Sequence, residues 1–100
     1  MDDRNAKLCG LLKEAVRLLD ALGDAPIAST RYDSGPDIAQ FIKPRIDEIE
    51  AGTISNDNKK ELWIIFAPTC SWDDSVGDVN LGNAIFGLLE ELYRDEVIPK

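Results

Sequence analysis

The sequence predicts an all-α fold, a compact four-helix bundle-like single domain over residues 1–100. Three observations lead there. Apolar residues recur at steps of three and four in separate stretches of the chain. Ser, Asp, Asn, Gly and Pro punctuate those stretches where helices start and stop. The third is size: 100 residues with 44% hydrophobic content suit one domain with one core, which needs no metal or disulfide to fold.

The first helix is expected over residues 4–22. Leu8, Leu11, Leu12, Ala15, Leu18, Leu19 and Leu22 form its apolar stripe. Lys7, Lys13, Glu14, Arg17 and Asp20 fall largely on the other side. Gly23 supplies a left-handed stop and Pro26 follows it. Residues 24–36 have no period and read as a connection, with Tyr32 expected to pin it to the domain. A second helix is expected over 37–51, with Ile38, Phe41, Ile42, Ile46 and Ile49 on its apolar face and Pro36 at its start. Pro44 lies inside this pattern, so the sequence predicts a kink there, or a break into a short helix 37–42 and another beginning at Pro44. Gly52 and Thr53 end it.

Residues 54–60 are polar and offer N-cap candidates in Ser55, Asn56, Asp57 and Asn58. The segment 61–67 is apolar on all sides and β-branched in its middle, which leaves a buried strand, and hence an α+β fold, as the alternative. The caps upstream, Pro68 downstream and the want of a second strand-like segment favour a helix. Trp63 and Phe66 within it are assigned to the core. Residues 68–78 form a turn-rich loop around Trp72. The last helix is expected over 79–95, capped by Asp78 or Asn80. Leu81, Ala84, Ile85, Leu88, Leu89 and Leu92 make one stripe, and Gly82, Phe86, Leu89 and Tyr93 a second beside it. So wide an apolar face predicts a central helix. Gly82 and Gly87 each cost about 1 kcal/mol against Ala in a helix interior, which points to a neighbouring backbone in close approach.

Charge and composition exclude several functions. The net charge is −8 and there is no His, which removes histidine-based catalysis and histidine metal ligation. So acidic a chain lacks the basic face that nucleic acid requires. The longest apolar run, Leu62–Ala67, is far short of the ~20 residues that span a bilayer. The N-terminus has no apolar export signal, so a cytoplasmic location without membrane contact is expected, with Cys9 and Cys70 as reduced thiols. Cys9 falls on the core face of the first helix, and Cys70 has no basic neighbour to activate it.

The acidic residues are unevenly distributed. From Glu61 through Tyr93 there is no Lys or Arg, while Glu61, Asp73, Asp74, Asp78, Glu90 and Glu91 lie in that span. Such a region attracts a basic partner and speeds encounter; a solvated acidic face is the plainer reading. Trp72 beside Asp73, Asp74 and Asp78 has the composition of an interface anchor flanked by charge. The competing assignment puts Trp72 in the core and Asp78 on the next helix as a cap. An EF-hand is excluded: counted from Asp73, position 5 is Gly77, position 6 is Asp78 and position 12 is Ala84. Ser71, Ser75, Thr69 and Cys70 have no His to serve as base. A carboxylate pair acting on a sugar would need a cleft that a small helical domain hardly offers. No metal, cofactor or catalytic residue is therefore expected. The candidate partner-binding residues are Trp72, Asp73, Asp74, Asp78, Glu90 and Glu91.

Residues 61–93 also carry a resemblance. The run Glu61 to Thr69, then Trp72-Asp73-Asp74, Gly77-Asp78, Leu81-Gly82-Asn83, Ile85-Phe86 and Leu88 to Tyr93, resembles small bacterial proteins, some of which look like immunity proteins of polymorphic toxin systems. The leucine-rich first helix and the Ile46-x-x-Ile49-Glu50-Ala51-Gly52 ending of the second are similar too. The resemblance implies a protein that neutralises a basic partner by binding it, with no catalytic residues. Two rival functions remain at the level of sequence. One is a helical adaptor or regulatory subunit that homodimerises through Phe86 and Tyr93; the other is a metal-assisted enzyme built on Asp73, Asp74 and Asp78.

Overall fold

A computed structural model of the chain describes residues 3–27, 32–67, 70–73 and 75–97. Four helices follow one another: α1 (Asp3–Ala21), α2 (Gly35–Ala51), α3 (Asn56–Phe66) and α4 (Val79–Val97). The described residues form no strand, only an isolated antiparallel bridge between Pro26 and Ser34 that closes the α1–α2 connection on itself. The fold is all-α and four-helical, and segment 61–67 is helical through Phe66 rather than a strand.

Leu8, Cys9, Leu12, Ala15 and Leu19 are the buried positions of α1, spaced to bring one stripe inward. Gly23, at φ 60°, ends the chain's run beyond α1, with Leu22 and Gly23 amides donating to the Leu19 and Asp20 carbonyls. The connection is pinned by Tyr32, whose hydroxyl lies 3.0 Å from Glu61 Oε2 of α3. The Ser34 hydroxyl caps α2 by accepting from the Asp37 amide. At the other end Gly52, at φ 73°, closes a Schellman turn: the Gly52 amide donates to the Ile49 carbonyl and the Thr53 amide to that of Glu48.

Pro44 does not break α2, which runs unbroken from Gly35 to Ala51. Gln40, whose carbonyl loses its donor to the proline, is exposed, as is Pro44 itself. The lost hydrogen bond is therefore on the wet side, where water replaces it. Helix α3 begins at Asn56, five residues before the expected segment, because Ser55 caps it through the Asn58 amide. It stops where Ala67, the residue before Pro68, turns to the extended conformation that a following proline imposes.

Helix α1 packs on both α2 and α4, and α4 packs on α3 as well. This explains the width of the α4 apolar face. Ile85, Leu88 and Leu89 are buried, and Phe86 extends the face to α3, stacking on Trp63 with ring centroids 5.6 Å apart. Trp63 accordingly lies at the margin of the core, whereas Phe66 is buried within it. Gly35 lets α2 start against α1, since a Cβ there would collide with the Leu19 carbonyl. Gly87 answers to no such contact: it is exposed and a Cβ there would meet nothing within 4 Å.

Candidate functional site

The loop joining α3 to α4 is built around Trp72. The Trp72 amide donates to the Ile65 carbonyl at 2.8 Å, which docks the loop on the end of α3. The Trp72 carbonyl in turn accepts from the Ser75 amide at 3.2 Å and the Gly77 amide at 2.9 Å. Gly77 reaches that position with φ 70°, a backbone conformation open to glycine. The Ser75 hydroxyl sits 2.8 Å from the Ser71 carbonyl and 3.1 Å from that of Trp72.

The indole points inward. Trp72 is 1% exposed, its ring lies 5.3 Å from that of Phe66, and its Nε1–H donates to the Asp78 carbonyl at 2.9 Å. Gly82 of α4 presses on the same ring. The expected close approach at Gly82 is thus real, but the neighbour is a side chain rather than a backbone. Trp72 is a core residue and not a surface anchor, which corrects its place among the candidate contact residues. An indole of this size gains more by filling the α3–α4 junction, with its N–H satisfied, than by facing water.

What Trp72 secures is the set of residues around it. Asp73, Gly77 and Asp78 are exposed, and Val79 is 63% exposed at the start of α4. Asp78 also caps α4: its Oδ1 accepts from the Leu81 amide at 3.0 Å. Asp74 lies outside the described residues. Glu90 and Glu91 do not form one surface. Glu91 reaches across to α1 and pairs with Arg4 at 3.1 Å, whereas Glu90 is half-buried one turn beyond Phe86. Val79 was not legible as a contact residue from sequence. By spacing it falls three positions before Gly82, on the side of the buried stripe, so periodicity carries no signal of its exposure, which follows from its place in the first turn of α4.

Elsewhere the cations meet acids of the helices. Lys13 pairs with Glu50 at 3.4 Å, Lys43 with Asp20 at 3.1 Å, Arg45 with Glu48 at 2.9 Å, and Arg17 with Glu14. The pairs of Lys13, Lys43 and Arg17 are exposed and individually weak, and each sets a cation of the first two helices against a neighbouring carboxylate. The Arg17 guanidinium holds the Glu14 carboxyl below its ordinary value. Cys9 is buried with Sγ 3.9 Å from the Ile46 carbonyl, and burial pushes its thiol up. Cys70 is a half-buried free thiol. Among the described residues no three ligand-type side chains gather into a metal site, no enclosed pocket is present, and no helix is long and apolar enough to cross a membrane.

Fold and surface together define a small all-α domain that presents an acidic, turn-rich loop moored by a buried tryptophan. Compared with known proteins, the chain matches no family model, and no curated protein or solved structure is significantly similar to it.

Proposed function

We propose that this chain is an acidic protein-binding module that neutralises a basic partner protein, with the role of an immunity protein against a bacterial toxin domain fitting it best. The observation that carries the reading is the loop itself. Trp72 ties the described part of the loop to Ile65 of α3 and to Asp78 at the start of α4, so Asp73 and Asp78 stand next to anchored positions, with Val79 following Asp78. A preformed surface avoids the ordering cost of binding. The absence of Lys and Arg from residues 61–93 gives the region a negative field that draws cations from a distance. The contact set is revised to Asp73, Asp74, Asp78 and Val79, with Trp72 as the residue that positions them.

The alternative, a helical adaptor that homodimerises through Phe86 and Tyr93 on the wide apolar face of α4, draws less support from the packing. Phe86 stacks on Trp63 and the Tyr93 ring faces Lys59, both contacts within the chain.

The test uses the protein encoded beside this gene as the binding probe. A complex is expected whose association rate falls with ionic strength, as diffusional steering by charge requires. Asp73→Lys with Asp74→Lys should slow association by about tenfold or more at low salt, with little change in thermal stability. Stable binding with an unchanged association rate would reject the acidic loop as the contact surface. No binding to the neighbouring product would reject the immunity role.

A further inference from the structure

Helix α4 is not uniform to its end. Tyr93 leaves helical geometry at φ −126°, ψ 24°, so the turn that follows it is set off from the body of the helix. Two contacts hold that turn. Val97 is buried at 1% exposure yet stands outside the main core cluster. Glu96 meets Lys59 from the first turns of α3, Nζ to Oε1 at 3.5 Å. The same ammonium lies 4.8 Å from the centre of the Tyr93 ring and 3.4 Å from Asn56 Oδ1. The Lys59 side chain is 15% exposed, so these contacts are shielded more than those of the other paired lysines, Lys13 and Lys43. One lysine thus touches the hinge residue, the clipped turn and the helix it is clipped to.

We propose that residues 94–97 form a hinged clip, which opens about Tyr93 as a unit separate from the four-helix core and is held shut by Lys59. Helix ends fray in general, but ordinary fraying does not depend on a side chain from another helix. A clip does. Its opening frees Val97 and the Tyr93 ring while Ile85, Leu88 and Leu89 stay packed. Cation–π and ionic contacts on one shielded ammonium supply the closing interaction.

Amide hydrogen exchange of the intact protein tests this. Lys59→Met keeps the apolar stem and removes the charge. It should speed exchange of the amides of 94–97 by about tenfold while leaving residues 82–92 unchanged. Lys59→Arg keeps the charge and should return exchange close to the parent rate. Unchanged exchange at 94–97, acceleration spread evenly along α4, or equal acceleration in both variants overturns the proposal. Thermal melts of the same variants confirm that each is folded when it is measured.

Discussion

Gly82 of α4 lies against the indole of Trp72 so closely that a Cβ at position 82 would come within 2.6 Å of two ring atoms. The contact joins the end of the acidic loop to the helix that follows it. It also explains a glycine that helix propensity alone disfavours. Replacement by alanine should therefore destabilise the fold by about 1–3 kcal/mol, as overpacking against a buried ring outweighs the gain in propensity. The Gly87→Ala change, into open space, should stabilise by up to about 1 kcal/mol. Urea denaturation of the two variants checks both signs, and equal effects would deny the Trp72 contact.

The two tryptophans should respond differently to the same substitution. Trp72 donates to the Asp78 carbonyl, whereas Trp63 Nε1 is buried and meets no acceptor among the described residues. Trp72→Phe removes one of the two hydrogen bonds to that carbonyl, which still accepts from the Gly82 amide at 2.9 Å, and should cost about 0.5–1.5 kcal/mol beyond the change in packing. Trp63→Phe gives up no such bond and should be the milder of the two. Trp72→Ala should cost about 3–5 kcal/mol, a large part of the stability of a domain this size. Thermal melts rank the three variants.

Asp78 has two roles that substitution can separate. Asp78→Ala removes the cap on the Leu81 amide and should cost about 1 kcal/mol. Asp78→Ser retains a capping oxygen and removes the charge. It should keep near-parental stability while slowing association with a basic partner. Measuring stability and association rate on both variants distinguishes a cap from a contact.

Alkaline pH should weaken the fold. Burial is the main force raising the Cys9 thiol, with Glu50 adding to it and Lys13 opposing. Burial also raises the Tyr93 phenol, helped by Cys9 and Glu96. Both groups keep their protons longer in the folded chain than in the unfolded one. The stability they contribute is complete below their ordinary values of 9.0 and 10.0 and is lost as pH climbs through the raised folded values. Urea midpoints measured from about pH 8 to about pH 10.5 should fall, and Tyr93→Phe should flatten the upper part of the decline. A midpoint constant over that range would contradict the burial of both groups.

The connection between α1 and α2 offers a smaller check. Tyr32→Phe removes the hydroxyl that meets Glu61 and should cost about 1 kcal/mol, read as a drop in melting temperature of several degrees.

The helices themselves were determined by the sequence. The three-and-four spacing of Leu8, Leu12, Ala15 and Leu19, the Ser34 and Ser55 caps, and the left-handed turn at Gly52 are signals that act within one or two turns of backbone. They need no knowledge of the rest of the chain. The tertiary structure decided what depends on a neighbour remote in sequence. It turned Trp72 inward because Phe66 and Gly82 make a seat for it, and it sent Glu91 to Arg4 while Glu90 stayed on the Phe86 side. It carried α2 through Pro44 because the lost hydrogen bond faces solvent. A loop tryptophan and a helix-surface carboxylate are each free to point in several directions. Only the packing of α1, α3 and α4 around them selects one.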